Sequence, residues 1–171
     1  MATDQSPLDL LDAELANAAE ATGHIAARLS LKRFVHNARM SQETNAFVAD
    51  VWCDGKRVGS ASNAGHGGET MVVLDDASLE AEVKSALSGA AKPCYEYYGL
   101  TNLIDTLVDT ELNRLSTKRQ FDRFSKRCGK LNQVSVLSKN GLMLAAGAAE
   151  IDALIAQHLV GGDSVVERRL P

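Results

Sequence analysis

After Ser6-Pro7, the residues Leu8, Leu11, Leu15, Ala18 and Thr22 fall on one stripe at helical spacing. Ser6 can cap such a helix, and Pro7 suits its first position. Asp9 and Asp12 favour the positive end of the helix dipole. The pattern predicts a peripheral N-terminal helix over 7–23, stopped at Gly23 and preceded by a disordered 1–6. The period then changes. Leu29, Leu31, Arg33, Val35, Asn37 and Arg39 alternate imperfectly, which predicts a strand over 29–39. Residues 45–53 alternate more cleanly, with Phe47, Ala49, Val51 and Cys53 on one face and Val48 and Trp52 on the other. Asp54-Gly55 is a strong hairpin signal, and 56–62 reads as the returning strand. Residues 29–62 are therefore expected to form an antiparallel meander, with a fourth strand over 70–74.

Helices dominate the remainder. Asp76 or Ser78 can cap a helix over 78–88 that closes at Gly89. Residues 90–97, with Pro93, read as a connection. Leu100, Leu103, Ile104, Leu107, Val108, Leu112 and Leu115 give a wide apolar stripe over 100–115. Ser116-Thr117 is expected to break that helix and cap a short basic one over 118–128, ending at Gly129. A strand over 133–138, a turn at Lys139-Asn140-Gly141 and a helix over 148–159 follow. Gly161-Gly162 stops that helix, and 164–168 reads as a short edge strand. A helix, a run of strands and then helices with one or two later strands indicate an α+β fold: a small antiparallel sheet packed with four or five helices. With no internal repeat and no long linker, residues 1–171 read as a single domain.

The chain of 171 residues is long enough to bury a core without metal or disulfide support. Three cysteines, Cys53, Cys94 and Cys128, are odd in number and widely spaced, which argues against a disulfide framework and fits a reducing cytoplasm. The acidic N-terminus has no signal-peptide pattern. The apolar run from Leu142 to Ala149 is too short to span a bilayer, so no membrane association is expected. The net charge of −4 argues against a surface built wholly for nucleic acid, but not against a local patch.

The segment Asn63-Ala64-Gly65-His66-Gly67-Gly68-Glu69 is unusual, with three glycines in four positions. Such a loop can present consecutive N–H groups to a small anion or nucleotide. Asn63, Gly65, His66, Gly67 and Gly68 are the candidate ligand residues. The competing and favoured explanation is a wide loop joining two strands. The segment lacks the GK[ST] of a P-loop and opens no helix as GxGxxG would.

The run Ser41-Gln42-Glu43-Thr44-Asn45-Ala46-Phe47, then Asp54-Gly55-Lys56-Arg57-Val58-Gly59, then Asn63-x-Gly65-His66-Gly67-Gly68 resembles a loose family of uncharacterised accessory proteins of phages and bacterial mobile elements. The family pattern reads S-E-E-T-x-A-F…G-K-x-V-G…N-x-G-x-G-G. Gln42 departs from it where an acid is expected, and the N-terminal helix looks like an addition. The resemblance implies the hairpin and an accessory role in a mobile element. It brings no activity.

No catalytic constellation is complete. His66 and Glu69 are spaced H-x-x-E where a zinc deaminase needs H-x-E, and Pro93-Cys94 lacks the second cysteine. The histidines His24, His36, His66 and His158 are scattered, and no G-x-S-x-G occurs. Asp105 and Asp109 share a helix face, which a solvated surface explains. Neither a metal nor a cofactor is expected, and the balance leans away from an enzyme.

Charge sets one segment apart. Between Asn113 and Lys139 there are eight basic residues and one acid, Asp122, whereas the rest of the chain has ten basic and 21 acidic, so the segment is +7 and the remainder −11. On a helix, Arg119, Arg123, Lys126, Arg127 and Lys130 crowd one side, with Lys118 nearby, while Phe121, Phe124 and Cys128 face inward. A solvated face and a binding face for phosphate or an acidic surface both fit. The expected function is a non-enzymatic binding module that engages a host protein, or nucleic acid, through this helix and the hairpin loops. The alternative is a small-anion or nucleotide-binding protein, hydrolytic or not, that uses the Asn63–Glu69 loop.

Overall fold

The computed structural model describes residues 7–88, 99–159 and 164–171, with side chains from residue 13 onward. The fold is α+β, with two antiparallel sheets. The chain divides into two compact units, with the boundary inside a helix at Glu111/Leu112. The expected cap at Ser6, the closures at Gly89 and Gly161-Gly162, the connection over 90–97 and Cys94 lie outside the described residues.

In the first unit, α1 spans Pro7–Ala26. It continues past Gly23, where the sequence predicts a stop. Ile25 is wholly buried and holds the extra turn against the core, and the Ala27 amide bonds to the Gly23 carbonyl at 3.0 Å. The strands β1 (Leu29–His36), β2 (Phe47–Cys53), β3 (Lys56–Asn63) and β4 (Met71–Leu74) pair in that order. Asp54 and Gly55 both have positive φ, 49° and 75°, as a two-residue type I′ turn requires. The imperfect alternation of β1 is a bulge: Lys32 faces Asp50 and Val35 faces Val48, so Arg33 and Phe34 share one partner position. Arg33 takes φ 49° there, and the later residues of the strand switch faces.

Phe47, Ala49, Val51 and Cys53 are buried, as the alternation of β2 requires. They form the core with Ala18, Thr22 and Ile25 of α1, with Leu79, Val83 and Leu87 in and just after α2 (Ser78–Ala86), and with Leu103, Ile104 and Val108. Each fully buried Val, Leu or Ile contributes roughly 1.5–3 kcal/mol of transfer free energy. The opposite face carries a row across the strands in which Val35 faces Val48, Val48 faces Ser62 and Ser62 faces Met71; Val35, Val48 and Met71 are exposed and Ser62 is half-buried. The N-cap position of α2 is Ala77, which offers no side-chain cap, so neither Asp76 nor Ser78 is the cap the sequence suggests; Asp76 Oδ1 instead accepts the Ser78 amide at 2.8 Å from one residue further out.

Residues Leu100–Lys130 form one helix, α3. The expected break at Ser116-Thr117 does not occur. No Pro or αL residue interrupts the run, and the Gln120 side chain bonds to the Ser116 hydroxyl at 3.4 Å, within helical turns. Gly129 does not end the helix either. Asn132 does, at φ 55°. The Gln133 amide bonds to the Cys128 carbonyl at 3.0 Å and the Asn132 amide to the Gly129 carbonyl at 3.1 Å, which together make a Schellman closure.

In the second unit, β5 (Val134–Ser138) lies between β6 (Met143–Ala146) and β7 (Val165–Arg169). β6 was not expected from the sequence. Every residue of β5 is buried. Val134 and Val136 pack with Leu144 and with Ile151 of α4 (Ile151–His158). On the other face, the Ser135 hydroxyl donates to Ser125 of α3 at 2.8 Å. A strand covered on both faces shows no alternation of polarity.

Candidate functional site

The basic half of α3 belongs to the second unit. Phe121 is fully buried and Cys128 nearly so, and Phe121 and Phe124 stack with centroids 6.4 Å apart. These residues fix which side of the helix faces inward. The exposed positions between Asn113 and Lys130 are Asn113, Arg114, Ser116, Lys118, Arg119, Gln120, Arg123, Lys126, Arg127 and Lys130. None is acidic and none is apolar. At about 100° per residue, Arg119, Arg123, Lys126, Arg127 and Lys130 fall within an arc of roughly 100°, opposite the buried residues. Lys118 is exposed but stands about 80° to one side of that arc. Arg119 to Lys130 spans roughly 16 Å of helix axis.

These cations differ from most of the arginines elsewhere. Arg28 meets Asp54 at 2.7 Å and Glu82 at 2.5 Å. Arg57 meets Asp75 at 2.7 Å and Asp50 at 3.2 Å, and Arg33 also meets Asp50. Arg168 holds Asp152 at 2.8 Å. Among the described residues, Lys118, Arg119, Arg123, Lys126, Arg127 and Lys130 hold no carboxylate. The single acid in their segment, Asp122, is taken by Arg169 of β7 at 2.7 Å. Arg169 also meets Glu167 at 2.5 Å and sits 4.9 Å from the centre of the Phe121 ring. The second unit as a whole has ten basic and five acidic residues, a charge of +5, whereas the first has eight and 17, a charge of −9.

The glycine-rich loop is built differently from an anion site. Asn63 Oδ1 accepts the Gly65 amide and the Thr44 hydroxyl, each at 2.8 Å, and Asn63 Nδ2 donates to the Gly68 carbonyl at 2.9 Å. The Gly65 carbonyl accepts the Gln42 and Glu43 amides at 2.9 and 3.1 Å. The Gly67 amide points at the Thr44 hydroxyl, 3.4 Å away. Two of the N–H groups that a nest would offer are thus directed at the chain's own oxygens. Gly65 and Gly67 have φ of 86° and 84°. A side chain at Gly65 would strike the Met40 carbonyl and the Ala46 methyl, and one at Gly67 would strike the Glu43 carboxylate. That carboxylate would also repel an anion. His66 is exposed beside a shallow cleft of about 400 Å³. The geometry supports a clasp between the 37–46 and 63–70 loops. Glu43 and Thr44 of the Ser41–Phe47 run complete it, although the sequence did not place them among the candidate ligand residues.

A larger cleft of about 700 Å³ lies between β4, α2 and the first turn of α3. Of its charged lining residues, Asp76 accepts the Ser78 amide at 2.8 Å, and Glu80 and Lys84 pair with each other at 2.7 Å. Cys53 is buried, and burial pushes its thiol pKa up, which makes it a poor nucleophile. Among the described residues, no three His, Cys, Asp or Glu side chains are grouped to hold a metal ion, and no helix is long and apolar enough to cross a membrane.

Gln120, Asn113 and Ser116 share the exposed side of the basic face. Asn113 and Ser116 were missed because the sequence suggested a helix break between them and the later cations, and Gln120, inside the expected basic helix, because it carries no charge. Compared with protein-family models, curated proteins and solved structures, the chain matches none.

Proposed function

We propose that this chain is a non-enzymatic binding module that captures an anionic macromolecule on the basic face of α3. One observation carries the proposal: six exposed cations crowded on one stretch of that helix hold no carboxylate among the described residues, whereas Arg28, Arg33, Arg57, Arg168 and Arg169 each do. Exposed charges of one sign raise the local concentration of an opposite partner and speed its encounter. The partner is a protein with an acidic surface or a nucleic acid. An accessory role in a phage or mobile element is the setting implied by the hairpin resemblance. A cytoplasmic location fits the free, buried Cys53 and Cys128.

Retention on immobilised heparin, a generic polyanion, tests this function. The unaltered protein and His66→Ala should elute together at elevated salt. Arg123→Glu/Arg127→Glu should elute at much lower salt. Equal retention of all three would overturn the proposal.

A further inference from the structure

We infer that the basic face of α3 docks on the phosphate backbone of double-stranded DNA, reading charge and groove shape more than sequence. The inference rests on the polyanion-binding role proposed above and names the polyanion. Four observations lead to it.

The first is what the face lacks. Protein–protein interfaces draw their binding energy from a desolvated centre of aromatic and aliphatic side chains. From Asn113 to Lys130, every exposed position is Asn, Ser, Gln, Lys or Arg. Protein–DNA interfaces have that composition, polar and strongly positive.

The second is the placement of the arginines. Arg119, Arg123 and Arg127 follow one another at intervals of four residues, about 6 Å apart along the axis. Their planar forks can each grip a phosphate with two hydrogen bonds, which a lysine cannot do. Lys126 and Lys130 flank the row as point charges.

The third is shape. Asn113 to Lys130 is a straight-through run of 18 helical residues, about 27 Å long. The major groove of B-form DNA, about 12 Å wide, admits an α-helix, and the narrow major groove of an RNA duplex does not. The fourth is the absence of aromatic residues among the exposed positions, which removes the stacking platform that single strands require.

The test is fluorescence anisotropy with the whole chain and a labelled 20-base-pair DNA duplex of arbitrary sequence, from 50 to 200 mM salt. Five phosphate contacts give a log–log salt slope of about −4.5, so affinity should fall roughly 500-fold across that range. Arg123→Gln/Arg127→Gln should flatten the slope by about 2, and Arg123→Glu/Arg127→Glu should abolish binding at 200 mM. Both pairs are exposed, and an unchanged thermal melt confirms that they fold. A single strand of the same length and an RNA duplex should bind more weakly. If polyglutamate of matched charge binds this face as tightly as DNA, the DNA inference falls while the polyanion-binding role stands. If RNA duplex or single strand binds as tightly, DNA is likewise the wrong partner. If neither DNA nor heparin is bound, both proposals fall together. DNA binding that survives both double substitutions would also overturn the inference.

Discussion

Asp122, the one acid between Asn113 and Lys139, receives the guanidinium of Arg169 at 2.7 Å. An arginine from the last strand thus neutralises the only charge on that stretch that would oppose an anion. The same arginine lies against the ring of Phe121, the buried anchor that sets the helix's orientation. The Glu167 and Asp122 carboxylates raise its pKa, so it stays charged at any relevant pH.

Separating these two residues by substitution should separate charge from stability. Asp122→Asn should leave the melting temperature nearly unchanged, because a half-exposed ion pair contributes less than about 1 kcal/mol. It should also tighten heparin binding a few-fold by removing a like charge from the ligand's path. Arg169→Ala loses two ion pairs and the ring contact, and should cost about 1–2 kcal/mol. Thermal melts beside heparin elution check both. Weaker heparin retention by Asp122→Asn would contradict this account.

The glycines divide into two kinds. Gly65→Ala forces a side chain into a left-handed backbone against the Met40 carbonyl. It should cost about 2 kcal/mol or more and lower the melting temperature by roughly 4–8 °C. Gly129 sits inside α3 with nothing within 4 Å of an added methyl group. Gly129→Ala should therefore be neutral, or should stabilise by up to about 1 kcal/mol. Comparable losses at the two positions would show that α3 ends where the sequence suggested.

Acid should weaken the first unit in a defined direction. The Arg28 hydrogen bonds hold the Asp54 carboxyl below its ordinary value of 3.8. At Asp50, burial pushes the pKa up, but the Arg33 and Arg57 guanidiniums outweigh it and the net shift is down. A depressed folded-state pKa means that the unfolded chain binds protons first as pH falls. The stabilisation is complete above about pH 4 and is lost as pH drops through the lower, folded values. Melting temperature should be flat from pH 7 to about 5 and fall below about 4. Asp54→Asn should start lower at pH 7 and lose less on acidification. An identical pH profile for both proteins would contradict the pairing.

The hairpin was legible because its signals are local. Alternation over 47–53 and an Asp-Gly turn need no tertiary information. α3 was misread because Ser116-Thr117 caps a helix in one context and rides within it in another, and only the packing of Phe121 and Cys128 on the far side decides. β6 was invisible because it is four residues long, contains two alanines and has little polarity contrast. The division at Glu111/Leu112 lies inside a helix, where no Gly- or Pro-rich linker can mark it. The change in charge sign near that point was its only trace. The cations of the candidate face were readable from spacing alone, because basic residues of one helix face recur at fixed intervals. Their lack of partners was not readable, since Arg28 and Arg57 look no different in sequence and yet are paired. The glycine loop misled in the opposite way. Its composition suits an anion nest, but Asn63 and Thr44 already receive its amides.

NMR of the arginine Nε–Hε groups, recorded as the 20-base-pair duplex is added at low salt, tests the central claim most directly. The signals of Arg119, Arg123 and Arg127 should shift together and saturate, while those of Arg28, Arg57 and Arg168, held by carboxylates, should stay in place. Stationary signals on α3, or shifts confined to the amides of Gly65 to Glu69, would contradict it.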